Sequence, residues 1–89
     1  MNLTAEISMY PLHQEYEPII LEFIADLRTN TDIDVVTNAM STQIRGPYQR
    51  VWDVLQQATR RSFEVHGKAV FVVKFIGGEL PILDAPITE

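Results

Sequence analysis

The sequence predicts an α+β fold in which two helices cover one face of a four-stranded antiparallel sheet. Three observations indicate this architecture. Apolar and polar residues alternate near both ends of the chain, apolar residues recur at helical spacing in two stretches, and the elements follow the order βαββαβ. That order is typical of the ferredoxin-like sandwich. We therefore expect a single domain over residues 3–78 and an extended tail over residues 79–89, where two prolines oppose a regular helix.

The first strand and the first helix are predicted within residues 3–29. Apolar side chains alternate with polar ones over residues 3–10, which indicates a half-buried strand, and Pro11 ends it. An apolar stripe at helical spacing follows over about residues 15–29, with Pro18 in the first turn. We expect the side of the strand that faces the helices to carry Leu3, Ala5, Ile7 and Met9. Its other side, the open face of the sheet, would then carry Thr4, Glu6, Ser8 and Tyr10.

The remaining predicted elements are a hairpin, a second helix and a last strand. β-branched residues begin a second strand over residues 33–40, and a bend leads into a third strand over residues 41–46. The second helix, over residues 47–64, begins with proline at its first position. Its predicted apolar stripe is formed by Tyr48, Val51, Trp52, Leu55, Ala58 and Thr59. The last strand is predicted over residues 69–76.

That last strand would place three branched aliphatic side chains on the open face, namely Val70, Val72 and Ile76. Such a row is a liability in a monomer, so we expect a second copy of the chain to cover the open face. Charge could orient this assembly, because residues 1–40 contain seven acidic side chains and one basic one, whereas residues 41–68 contain five basic and two acidic ones. The alternative is two solvated helix faces of opposite charge.

Composition excludes several classes of function. The net charge of −5 argues against a nucleic-acid partner, because phosphate contacts supply most of that affinity. The apolar stretch Val70–Val73 is far shorter than the roughly 20 residues of a membrane span. The N-terminal residues have no basic region before an apolar stretch, so we expect no signal peptide, no membrane partner and a cytoplasmic location.

The reactive side chains form no recognisable catalytic or metal-binding pattern. The chain has no cysteine, and His13 and His66 lie in predicted loops without a second ligand at a metal-binding spacing. The serines lack the Gly-x-Ser-x-Gly elbow of hydrolases, and the glycine pair at Gly77 lacks the lysine and helix of a phosphate loop. We therefore expect a protein that is not an enzyme and that holds neither a cofactor nor a metal.

One segment, residues 38–46, concentrates polar side chains between two predicted strands and just before a helix. Its amide and hydroxyl groups can donate and accept hydrogen bonds, so they could read the edge of a neutral heteroaromatic ring. Met40 adds a polarizable contact to such a ring. The alternative is a polar bend whose side chains bond to their own backbone. Residue chemistry alone leaves both interpretations open.

Three stretches of the chain resemble one protein family. They are Ile-Ser-Met-Tyr-Pro-Leu over residues 7–12, Met-Ser-Thr-Gln-Ile-Arg-Gly over residues 40–46, and Val-Trp-Asp over residues 51–53. They resemble the YkoF-like thiamine/hydroxymethylpyrimidine-binding family, over roughly residues 3–78. The resemblance implies a ferredoxin-like domain that binds thiamine or its pyrimidine precursor without transforming it, in thiamine salvage or transport. It also implies a homodimer or homotetramer formed through the sheet.

The resemblance further implies a ligand site made by the first strand and the bend. Its residues would be Glu6, Ser8, Asn38, Met40, Ser41 and Thr42. Ser41 and Thr42 would hydrogen-bond the aminopyrimidine, and Asn38 would pair with its ring-nitrogen edge. Glu6 would face the exocyclic amine or a thiazolium charge. The alternative function is an oligomeric interaction or regulatory module that binds no small molecule or senses another metabolite.

Overall fold

The predicted order of elements is confirmed in a computed structural model, which describes residues 1–84. The elements are β1 (Asn2–Pro11), α1 (Tyr16–Arg28), β2 (Asp34–Thr37), β3 (Thr42–Pro47), α2 (Tyr48–His66) and β4 (Ala69–Gly77). The strands form one sheet in the order β2-β3-β1-β4, in which all neighbours are antiparallel. This is the ferredoxin-like α+β architecture.

β2 is shorter than the sequence predicts, because Asn38 turns the chain. The strand ends at Thr37 rather than at residue 40. Asn38 donates its backbone N–H to the carbonyl oxygen of Ser41 at 3.0 Å. Its side-chain Oδ1 accepts the backbone N–H groups of Met40 at 2.9 Å and of Ser41 at 3.1 Å. An asparagine that satisfies the backbone in this way competes with continued strand pairing.

Cross-strand register shows which side chains share a face of the sheet. One row on the helix side consists of Val73, Ile7 and Thr42. The next row, on the open face, consists of Lys74, Glu6 and Gln43. The alternation predicted for β1 is confirmed, since Leu3, Ala5 and Ile7 are all buried. Thr42 therefore faces the helices, whereas Glu6 and Ser8 face the other way.

The core lies between the sheet and the two helices. Its largest fully buried side chains are Leu27, Ile44, Val51 and Val54. The predicted stripe of α2 is correct at its centre but wrong at its edges, because the buried face includes Val54 and leaves Trp52 41% exposed. Trp52 lies at the margin of the stripe and stacks on Phe75 of β4, with ring centroids 4.4 Å apart.

The segment after β4 covers one end of the open face. Thr4, which we expected to be open, is only 4% exposed. Its Oγ1 donates to the carbonyl oxygen of Gly78 at 2.9 Å and accepts the backbone N–H of Leu80 at 3.2 Å. Arg45 donates to the carbonyl oxygen of Leu80 and is paired with Asp34 at 2.8 Å. The predicted tail thus begins by packing on the sheet, while its last residues, 85–89, lie outside the described residues.

Charges of opposite sign join the two helical layers within one subunit. Arg61 of α2 contacts Asp26 of α1 at 2.7 Å, and this hydrogen bond raises the pKa of Arg61. Arg50 of α2 pairs with Asp32, and its hydrogen bonds hold the pKa of Asp32 below its ordinary value of 3.8. The basic side chains of the second helix are therefore used inside the fold. Within residues 1–84, no helix is both long and apolar enough to cross a membrane.

Candidate functional site

A cavity of about 170 Å³ opens where β1 extends beyond β3. β3 begins at Thr42, opposite Ile7, whereas β1 continues to Pro11 with only β4 beside it. The turn between β2 and β3 and one side of α1 enclose the resulting gap. Most of the predicted site residues line this cavity, namely Ser8, Asn38, Met40, Ser41 and Thr42.

The cavity has one apolar wall and one polar wall. Ile20, Phe23 and Ile24 of α1 form the apolar wall, together with Met9 of β1. The hydroxyl and amide side chains of the turn form the polar wall. Met40 is 86% exposed and lies at the rim. A flat ring with polar edges fits such a site, because its faces contact the apolar side chains while its edge meets the hydrogen-bonding groups.

Asn38 has used only half of its side chain in the turn. Its Oδ1 accepts two backbone N–H groups, as described above, which is the arrangement that the alternative interpretation of the bend predicted. An asparagine amide also carries two N–H donors on Nδ2. These donors make no hydrogen bond within the described residues 1–84, so Asn38 can still donate to a ligand.

Thr42 pairs with Thr37 across the hairpin on the helix side of the sheet. Their Oγ1 atoms lie 3.0 Å apart, and Thr42 is only 5% exposed. One of the two hydroxyls donates its hydrogen to the other, so the accepting hydroxyl keeps its own hydrogen for another acceptor. The pair therefore supplies one donor at the buried end of the polar wall.

Glu6 does not line this cavity, although it was predicted to contact the ligand. It lies on the open face of the sheet, in a separate depression that it shares with Gln43 and Lys74. Its carboxylate accepts the hydroxyl hydrogen of Ser41 at 3.1 Å and lies 3.7 Å from Nζ of Lys74. Glu6 thus reaches the cavity only through Ser41.

Sequence reasoning missed several residues of the cavity. Thr37 and Tyr10 both line it, and so does the apolar side of α1. Thr37 falls inside a predicted strand, where no signal distinguishes it from other strand residues. The α1 side chains were predicted as core, because lining a cavity and filling a core require the same helical spacing.

The cleft between the two helices is a second candidate, with a volume of about 260 Å³. His66 and Glu22 bridge it at 2.7 Å, and Arg61 and Asp26 form a second bridge. Among residues 1–84, no group of three metal-ligating side chains comes together, here or elsewhere. The cleft is lined mainly by apolar core side chains such as Ile19 and Ala58, so its charged groups serve to join the helices.

Comparisons with known proteins agree with the fold. A Streptococcus pneumoniae protein superposes with a TM-score of 0.80 at 22% identity, over 90% of both chains. A Thermotoga maritima protein provisionally assigned to thiamine biosynthesis or salvage superposes with a TM-score of 0.75 at 13% identity, over 84% of this chain and 82% of that one. No curated protein sequence matches significantly. The sequence profile of the YKOF-related family matches residues 2–76, and the chain therefore belongs to that family.

Proposed function

We propose that this protein binds thiamine or its hydroxymethylpyrimidine moiety without transforming it, and serves thiamine salvage or transport. One observation carries the proposal: side chains from β1 and from the β2–β3 turn line a single cavity, with hydrogen-bonding groups still available. Membership of the YKOF-related family and the provisional assignment of the Thermotoga maritima protein support the same ligand class.

The hydrogen-bonding groups of the cavity complement an aminopyrimidine. The edge of that ring presents an amino group, which donates, beside a ring nitrogen, which accepts. Nδ2 of Asn38 can donate to the ring nitrogen, as its Oδ1 is occupied by the turn. The hydroxyl oxygen of Ser41 can accept the amino group. The methyl and methylene groups of the ligand would contact the α1 wall, where Phe23 and Ile20 lie.

The size of the cavity indicates how much of the ligand enters. Its volume of about 170 Å³ is below the roughly 300 to 1,000 Å³ of pockets that enclose a whole drug-sized ligand. We therefore infer that the pyrimidine ring is inserted and that the rest of thiamine stays at the rim, beside Met40. Free hydroxymethylpyrimidine would be enclosed more completely than thiamine.

The lining also supports binding without chemistry. Acid–base catalysis needs a titratable group within reach of the reacting atoms. Among the described residues that line the cavity, Tyr10 is the single side chain with such a group, and it is 56% exposed. We propose a carrier or salvage protein rather than an enzyme on this basis.

Replacing Ser41 with alanine is expected to weaken hydroxymethylpyrimidine binding about threefold to tenfold, because one hydrogen bond to the amino group is lost. Isothermal titration calorimetry measures the change. Ser62→Ala is the matched control, since Ser62 lies on α2 in the interhelical cleft and should leave affinity unchanged. An unchanged affinity in Ser41→Ala would contradict this site, and no binding of either thiamine or the pyrimidine to the wild type would contradict the function.

We also propose that the protein self-associates through the open face of the sheet, as a homodimer or homotetramer. Val70, Val72 and Ile76 of β4 are 47%, 46% and 48% exposed on that face. The segment after β4 covers only the end of the face near Thr4. Burial of these side chains against a second copy would remove apolar surface from water. If self-association occurs and neither ligand binds, the alternative of an interaction module is the better description.

Replacing Val72 with lysine should shift the protein toward monomers, because the new charge would have to be buried in the interface. Light scattering is expected to give a mass for the wild type that is a multiple of 10.2 kDa and a mass near 10.2 kDa for the variant. Val65→Lys is the matched control, as Val65 is 67% exposed on α2, away from the sheet. A wild-type mass of 10.2 kDa at micromolar concentration would rule out this assembly.

A further inference from the structure

We propose that Glu6 determines which ligand the cavity selects, although it does not contact the ligand. It fixes the Ser41 hydroxyl as a hydrogen-bond acceptor, so that the cavity favours an amino group over a carbonyl group at the same position of the ring. This inference rests on the proposed function and assigns a positioning residue to it.

The hydrogen bonds of Ser41 leave it nothing to donate. Its backbone N–H is donated to Oδ1 of Asn38 at 3.1 Å. Its hydroxyl hydrogen is donated to Oε2 of Glu6 at 3.1 Å. An ionised carboxylate can only accept, so the direction of this second bond is not exchangeable. Ser41 therefore offers a ligand only the lone pairs of its hydroxyl oxygen.

The position of Glu6 makes this arrangement durable. Glu6 lies on the central strand β1, and its neighbours across the sheet are Gln43 and Lys74. Nζ of Lys74 is 3.7 Å from Oε1, the carboxylate oxygen that Ser41 does not use. The Lys74 side chain is 78% exposed, so its attraction is weakened by solvent. The hydrogen bond between Glu6 and Ser41 is the contact that sets the polarity of the site.

The consequence for a ligand follows from the groups that would meet. An amino group donates to the Ser41 oxygen, while the adjacent ring nitrogen accepts from the Asn38 amide. In the analogue with an oxo group in place of the amino group, the carbonyl oxygen faces the lone pairs of Ser41, and two acceptors oppose each other. An unmatched polar pair of this kind is expected to weaken binding about tenfold to a hundredfold.

Calorimetry with two ligands tests this inference: hydroxymethylpyrimidine and its analogue with oxo in place of amino. The wild type should prefer the amino ligand about tenfold to a hundredfold. In Glu6→Gln, the new amide can donate to the Ser41 oxygen and release the hydroxyl hydrogen, so the ratio of the two affinities should fall to about threefold or less. Glu17→Gln, on the exposed first turn of α1, is the matched control and should keep the wild-type ratio.

Ser41→Ala is the second variant, and it should also lose the preference because the acceptor itself is removed. Thermal melting checks that each variant is folded. A Glu6→Gln variant that binds the amino ligand and keeps the full preference would overturn the role of Glu6 while leaving the proposed function intact. A wild type that binds neither ligand would overturn the proposed function and this inference with it.

Discussion

Replacing Leu27 with alanine should lower the free energy of unfolding by about 2 to 5 kcal/mol. Leu27 is 0% exposed at the C-terminal end of α1 and belongs to the main core cluster. Removing its side chain loses apolar contacts and leaves a cavity that the surrounding core closes only in part. A domain of this length is typically stable by only about 4 to 13 kcal/mol, so the loss is a large fraction of the total.

Urea denaturation followed by circular dichroism measures this change. Leu21→Ala is the matched control, because Leu21 lies on the same helix but is 59% exposed. It is expected to change stability by less than about 0.5 kcal/mol. Equal losses in the two variants would show that α1 does not turn Leu27 toward the sheet, and the arrangement of the two layers would be wrong.

Replacing Gly46 with alanine should destabilise the protein by about 1 to 3 kcal/mol, through overpacking rather than a cavity. A Cβ atom at Gly46 would lie 2.8 Å from Cγ2 of Ile33 and 3.4 Å from its Cβ. Ile33 is 8% exposed, and a β-branched side chain has little rotameric freedom with which to move away. Thermal and urea denaturation should both show the loss.

Gly77 provides the control for this substitution. It ends β4, and the nearest atom to an added Cβ is Cε of Met1 at 3.8 Å, an ordinary contact. Gly77→Ala should therefore be neutral or stabilising by up to about 1 kcal/mol, because alanine restricts the unfolded chain. Combining Gly46→Ala with Ile33→Ala should cost less than the sum of the two single changes. Strict additivity would show that the two residues do not touch.

The sequence was sufficient to predict the elements, their order and the two faces of the sheet. Apolar spacing decides these features, because a core residue is needed at every second position of β1 and at every third or fourth position of α1. The end of β2 was not predictable from spacing, because it depends on where the side chain of Asn38 bonds. The burial of Thr4 depends on a segment more than seventy residues away in the chain, which no local pattern encodes.

The candidate site was predictable in its residue types but not in its hydrogen-bonding state. Hydroxyl and amide side chains beside a strand end indicated that a ring edge could be read there. Which of their donors and acceptors remain available depends on tertiary contacts, such as Ser41 with Glu6 and Thr42 with Thr37. The sequence also placed Glu6 against the ligand, whereas the structure places it on the other face of the sheet.

The central position of β1 also has a kinetic consequence. Leu3 is opposite both Gly46 and Gly77, so the first strand can be paired only by closing loops that span about half and then nearly all of the chain. The entropy lost in closing such loops slows folding, whereas each helix needs only local contacts. The cavity requires both β1 and the β2–β3 turn. It therefore exists only after the slow step, and a ligand can stabilise the finished sheet but cannot act as a template for its assembly.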